Sequence, residues 1–205
     1  MRDKSEKPYH HGDLRNTLIE VGLELLEENG SAALDLRKVA RKAGVSHAAP
    51  YRHFADKQAL IAALREEGFV RLAARINAAL EQSPDDPLEQ LQSVALAYVQ
   101  FAQQNPWLMR DMFSGLTLER DAFPEVITAS KVVFKLYIQV IENGQAQGKI
   151  VAGNAGALAG VLWSLLHGIA ILIIEDQITA YAPGADGTER LVRFGLQTLY
   201  AGLEP

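Results

Sequence analysis

The sequence contains no cysteine, which excludes disulfide bridges, thiolate metal sites and cysteine nucleophiles and leaves the fold to packing alone. Other absences bear on function. There is no glycine-rich phosphate loop, no pair of histidines four residues apart and no serine in a strand-turn-helix elbow, so enzymatic chemistry is not expected. No run of β-branched residues alternates with period two, and no internal repeat or low-complexity tract occurs, so strands and solenoids are not expected either. The opening stretch MRDKSEKPYHHGD is charged and lacks an apolar core, unlike a secretory signal. The most apolar run, VLWSLLHGIAILII at 161–174, would reach only about 21 Å as a helix against a bilayer core of ~30 Å. It is expected to be a buried helix, with no membrane partner and a cytoplasmic location.

What is present is a chain of 205 residues, 48% of them hydrophobic, enough for one large or two modest domains. The net charge of −5 alone argues against a nucleic-acid partner, but the charge is unevenly placed. Residues 1–60 hold ten Lys/Arg and nine Asp/Glu, whereas residues 61–205 hold ten and sixteen. Between Leu36 and Lys57 six basic residues (Arg37, Lys38, Arg41, Lys42, Arg52, Lys57) face one acidic residue, Asp56. A local positive patch on an acidic body is the footprint of a DNA-binding segment.

Helical periodicity runs through nearly the whole chain, which predicts an all-α fold. Leu14, Leu18, Val21 and Leu25 form the stripe of a first helix that stops near Asn29-Gly30. Asp35 can cap a second, LRKVARKA, with Leu36, Val39 and Ala40 inward and its cations outward. Gly44 closes it, Ser46 is expected to cap a short helix reaching about Phe54, and Asp56 caps a long helix from Lys57 to about Glu81 that ends at the SPDDP breaker. Further helices are expected at about 88–104, 106–114, 124–147, 155–175 and 187–203. The domain boundary is placed along the long helix, with a head of residues 1–60, including an N-terminal arm of residues 1–10, and a body of residues 61–205.

Pro50 tests this reading. If Ser46 is the cap, the first helical amides have no carbonyl to reach, so a proline at 50 deletes one bond at the margin of the helix. The alternative is a helix that starts later. Either way two short helices across a tight Gly-Val-Ser turn make a helix-turn-helix unit. His47, Ala48 and Pro50 are then candidates for the groove floor and Tyr51, His53 and Lys57 for the backbone, with Arg52 and Lys57 expected to carry part of the salt dependence. Phe54 is expected in the core. His47 and His53 lie about 120° apart on a helix, so no metal is expected there, and no cofactor.

With these residues in view, the stretch from about 10 to 60 resembles the TetR family of bacterial transcriptional repressors. A first helix ending in ENG is followed by LDLRKVARKAGVSHAAPYRHFADKQALIAAL, with the family's AGVS, tyrosine, His-Phe pair and Lys-x-x-Leu. The resemblance implies a three-helix DNA-binding domain in which Ser46, His47, Ala48, Pro50 and Tyr51 approach bases or phosphates, with His53 and Lys57 on the backbone and Arg37 often involved. Asp35 stands where the family commonly has threonine. Trp163, His167 and Gly168 in LWSLLHGIAIL, together with YHHGDLR at 9–15, resemble a subgroup with a Trp-His-Gly C-terminal domain.

A two-fold operator is read by a two-fold dimer, so a homodimer is expected. Its interface is placed on the last two helices, at Gly156, Gly160, Leu165 and Ile169 and at Val192, Leu196 and Leu199; the family forms a four-helix bundle there. A small, largely apolar effector is expected to occupy a pocket among Phe101, Trp107, Met112, Phe113, Phe134, Tyr137, Trp163 and His167, although such stripes more commonly fill a core. The function that follows is a homodimeric repressor of a palindromic operator. The alternative is a helical sensor or interaction protein that does not bind DNA.

Overall fold

The computed structural model describes residues 14–114, 121–181, 183–184 and 186–201. Among them it has eight α-helices, α1 (Leu14–Asn29), α2 (Leu36–Lys42), α3 (Lys57–Glu81), α4 (Pro87–Gln104), α5 (Pro106–Phe113), α6 (Pro124–Ala146), α7 (Ala155–Ile174) and α8 (Gly187–Tyr200), with short 3-10 turns at Ser31–Ala33, Pro50–Arg52 and Thr179–Tyr181. No strand occurs among the described residues. The chain divides into two compact units at Leu64/Arg65, inside α3.

In the first unit, α1 buries Leu18, Ile19, Gly22, Leu23 and Leu26. This face is rotated from the expected one, for Leu14, Val21 and Leu25 are only half-buried. Gly22 is the cause. A Cβ there would stand 2.9 Å from Leu64 Cδ2, so the helix turns its glycine to the first turns of α3, a contact that counting large side chains does not reveal. Gly30 closes α1 at φ 72°, its amide reaching the Leu26 carbonyl at 2.7 Å. The Asp35 carboxylate accepts from the Arg37 amide at 2.9 Å to cap α2. Leu36, Val39 and Ala40 face inward. Gly44, at φ 70°, lets the chain leave α2. Asp56 caps α3 by accepting from the Ala59 amide at 2.9 Å, and Phe54 lies in the core with the Arg15 guanidinium over its ring.

The second unit packs α4, α6 and α7 together, with α8 against α4 and α7. Asp86 opens α4 by accepting from the Leu88 and Glu89 amides, and it also pairs with Lys149 at 2.7 Å, tying the turn after α6 to the start of α4. The Lys149 ammonium and these amides hold the Asp86 carboxyl below the usual carboxylate range. Tyr98 and Tyr137 sit fully buried at the centre, edge to face. One buried ion pair, Arg65 to Asp111 at 3.0 Å, fixes α5 to α3, and Met112 of α5 packs against Gly68 of α3.

Helix α7 is longer than its most apolar run. Its twenty residues are long and apolar enough to cross a membrane, so length does not exclude a span as the run of 161–174 suggested. Ala159, Leu162, Leu166, Ile169, Ala170 and Ile173 are buried against the rest of the unit, about a third of its residues.

Candidate DNA interface and effector cavity

The segment after α2 is not the α-helix the serine cap suggested. Residues 47–49 form turns, with the Ala49 amide donating to the Ser46 carbonyl at 3.0 Å, and Pro50 opens a 3-10 helix with Ala49 as its cap. The later-starting alternative therefore describes it. Pro50 is buried, so its ring braces the turn and does not offer a surface for thymine methyls. Its missing amide is harmless at the first position of a helix. Around it Ser46, His47, Ala48, Arg52 and His53 are exposed, as is Tyr51 at 50%.

Three of the six cations are committed within the unit. Lys42 is held by Glu24 and Glu28, and the hydrogen bond to Glu28 raises its pKa. Lys38 donates to the Ala33 carbonyl and the half-buried Lys57 to the Ala32 carbonyl. Arg37, Arg41 and Arg52 are exposed and make no ion pair among the described residues. Arg41 belongs to the charge patch, but the helix-turn-helix pattern does not mark it as a DNA contact. Three guanidiniums, two imidazoles and a phenol in this unit are thus exposed, groups suited to phosphates and base edges. The N-terminal arm and YHHGD of the YHHGDLR motif lie outside the described residues.

In the second unit a cavity of about 580 Å³ opens between α3, α4, α5, α6 and α7. Of the expected pocket residues, Phe113, Phe134, Tyr137 and Trp163 line it. His167 does not line it but packs edge-on against Phe113 and tilted against Trp163. Phe101 and Met112 are buried in the core instead. Trp107 turns to solvent, 44% exposed, with the Arg110 guanidinium 4.9 Å from its ring centre. Nearness to the Asn-Pro break in sequence did not bring these three to the cavity, because α5 directs Met112 and Trp107 to opposite sides.

Tyr98, which the sequence did not single out, organises the wall. Its hydroxyl accepts from Trp163 Nε1 at 3.2 Å and lies 2.9 Å from His167 Nδ1. Indole can only donate, so the Tyr98 proton is best used toward Nδ1, which places the imidazole proton on Nε2. Burial pushes the His167 pKa down, favouring this neutral ring, and pushes the Tyr98 phenol up. The signal for Tyr98 was a polar-tipped residue inside the buried α4 stripe Leu91, Val94, Ala95, Tyr98, Ala102. Small residues make the space: Ala157, Gly160 and Ser164 line it from α7, and a Cβ at Gly160 would meet nothing within 4 Å.

The expected interface residues divide. Ile169, Val192 and Leu196 are buried within this chain, Gly160 faces the cavity, and Gly156, Leu165 and Leu199 are half-buried. Thus Ile169, Val192 and Leu196 are occupied by intramolecular packing. The apolar residues of α7 that reach the surface are instead Val161, which also lines the cavity, Gly168 and Leu172, with the half-buried Leu165 between them beside Gly195 of α8, and Phe194 of α8 is 68% exposed. A stripe of large apolar residues identifies the inward face first, and an all-apolar helix gives no periodicity with which to separate the two.

A helix-turn-helix unit with outward cations, followed by an all-helical unit enclosing an aromatic cavity, defines the class of one-chain DNA-binding transcriptional regulators. Residues 18–64 match the family described as bacterial regulatory proteins, tetR family, and residues 91–199 match a tetracyclin repressor-like C-terminal domain. The chain belongs to the TetR family. It is 34% identical over 99 residues to nucleoid occlusion factor SlmA of Aliivibrio fischeri, a match covering 48% of this chain and 50% of that one; the chain thus spans about half the length of that relative. A structure of a protein with unknown function from Rhodococcus sp. RHA1 is similar at TM-score 0.87 and 36% identity, covering 98% of this chain and 100% of the other. The fatty acid degradation regulator FadR of Bacillus halodurans shares the fold at TM-score 0.73 and 16% identity, with 95% and 97% covered.

Proposed function

We propose that the chain is a cytoplasmic, non-enzymatic homodimeric repressor that binds a palindromic operator and is released by a small, largely apolar effector. The observation that carries this reading is the exposed block of Ser46, His47, Ala48, Tyr51, Arg52 and His53, flanked by Arg37 and Arg41 without acidic partners among the described residues. One such block covers too few bases for specific recognition, so two copies related by a two-fold axis are required. The exposed Val161, Gly168 and Leu172 of α7 with Phe194 of α8 are the surface offered to the second copy.

Release follows from the connections of α5. Phe113 lines the cavity, while the adjacent Met112 and Asp111 hold α3 through Gly68 and Arg65. A ligand that prefers a displaced Phe113 shifts α5 and with it the segment of α3 at 65–69, and α3 continues toward Lys57. Only a difference in affinity between the two arrangements drives this. The test is anisotropy of a labelled duplex taken from upstream of the chain's own gene, titrated across a range of KCl. Affinity should fall steeply with salt, and Arg41→Ala or Arg52→Ala should each reduce the log-log slope by about one. Wild-type protein indifferent to every duplex would leave the sensor that does not bind DNA.

A further inference from the structure

Among the described residues, the cavity wall contains one buried hydrogen-bonding group that the protein itself leaves unused. Tyr137 is fully buried, it lines the cavity, and its hydroxyl has no hydrogen-bond partner. A buried hydroxyl without a partner is unfavourable by about as much as a lost hydrogen bond, and native proteins keep few of them. No group among the described residues stands within hydrogen-bond reach of it. The Tyr98 hydroxyl turns to Trp163 and His167, and Ser130 and Ser164 turn to carbonyls of their own helices, Ile127 and Gly160. Solvent does not reach it either.

Burial also holds the Tyr137 phenol well above its ordinary pKa, so it stays protonated and offers a donor. Around it the wall is aromatic, with Phe69, Phe113, Phe134 and Trp163. Lys131 is the lining residue that carries charge, and it is exposed. A charged group entering the cavity would therefore lose its hydration without a buried partner.

Building on the effector reading above, we infer that the ligand is an uncharged, largely aromatic or apolar molecule whose carbonyl oxygen accepts a hydrogen bond from the Tyr137 hydroxyl. The cavity volume falls in the range of drug-sized ligands, roughly 300–1,000 Å³. Reaching the hydroxyl requires the wall to give slightly. That displacement supplies the difference between states through which such a ligand is sensed, and a purely apolar molecule of the same shape gains nothing from it.

The experiment compares three probes by titration calorimetry: 2-acetylnaphthalene, its near-isostere 2-isopropylnaphthalene, and the anion 2-naphthoate. Wild-type protein should bind the ketone about tenfold more tightly than the hydrocarbon, the discrimination expected of one buried hydrogen bond, and more tightly than the anion. Tyr137→Phe should abolish the preference for the ketone while leaving hydrocarbon binding in place. Gly160→Leu, which projects into open space, should weaken the ketone and the hydrocarbon together, and thermal melts establish that both variants fold. If no probe binds, or if Gly160→Leu leaves binding unchanged, the effector reading fails and this inference with it. If Gly160→Leu blocks binding but the ketone and hydrocarbon bind alike, or Tyr137→Phe keeps the preference, the cavity stands and the role of Tyr137 is overturned. Tightest binding of the anion would overturn it equally, in favour of Lys131.

Discussion

Replacing Asp111 with leucine should be the most damaging single change in the body that leaves its hydrophobic core intact. The Asp111 and Arg65 side chains are each only 8% exposed and their charged atoms are 3.0 Å apart. With the carboxylate removed, the buried guanidinium loses the charged partner 3.0 Å from it, which destabilises by about 3–5 kcal/mol. For a chain of this size each kcal/mol lowers the melting temperature by about 2–4 °C, so the loss should be roughly 6–20 °C. Guanidinium denaturation followed by circular dichroism measures the free energy directly. The double replacement Arg65→Met with Asp111→Leu removes both charges and should return stability to within about 1 kcal/mol of the wild type. A loss below about 1 kcal/mol in the single variant would refute the reasoning, because it would mean that the pair is solvated in solution and does not fasten α5 to α3. The double variant, stable but without the tether, should also bind operator normally and respond weakly to effector.

Two glycine replacements should move stability in opposite directions. Gly144→Ala drives a methyl to 3.0 Å from the rigid Pro87 Cβ and against Ile150 and should destabilise by about 1–3 kcal/mol, whereas Gly160→Ala meets open space and should stabilise by up to about 1 kcal/mol; urea midpoints decide both. Because burial lowers the His167 pKa, the unfolded chain takes up a proton below its ordinary value near 6.5 while the folded chain does not. Stability attributable to this ring is therefore present above that pH and is lost as pH falls through the depressed folded value. Melting temperatures from pH 7.5 to 5 should fall less in His167→Gln than in wild type, and parallel curves would refute the assignment. Asp35→Thr keeps a side-chain cap on α2 while removing a negative charge beside Arg37; it should tighten operator binding, most at low salt, whereas unchanged affinity across salt concentrations would place Asp35 away from the phosphates.

The helix boundaries were legible because the chain punctuates them with residues of fixed backbone preference. Asn29-Gly30, Pro87, Pro106 and Pro124 each stand at an observed terminus, and Asp35 and Asp56 make the cap bonds their positions suggested. Faces were harder to read. Gly22 reorients α1 because closeness of approach, and not bulk, decides which side packs on Leu64. Ala157, Gly160 and Ser164 look like a surface for a neighbouring helix, yet they leave a void that aromatic residues from four other helices surround. The segment at 47–54 is largely exposed, as expected, but its turns and 3-10 helix differ from the expected α-helix because Ser46 contributes its carbonyl, and not a side-chain cap, to Ala49. The hydrogen bonds of Tyr98 and the Arg65–Asp111 pair are invisible to periodicity, since both depend on which side chains meet across helices.

The most direct test of the central claim, that the surface around residues 46–53 reads DNA, is a hydroxyl-radical footprint of the purified protein on the sequence flanking its own gene. The account predicts two protected patches related by two-fold symmetry and separated by about one helical turn or a multiple of it, lost in the Tyr51→Ala, Arg52→Ala double variant even though that variant melts like the wild type. Protection that survives the double variant, or no protection by the wild-type protein on any duplex tested, would contradict it.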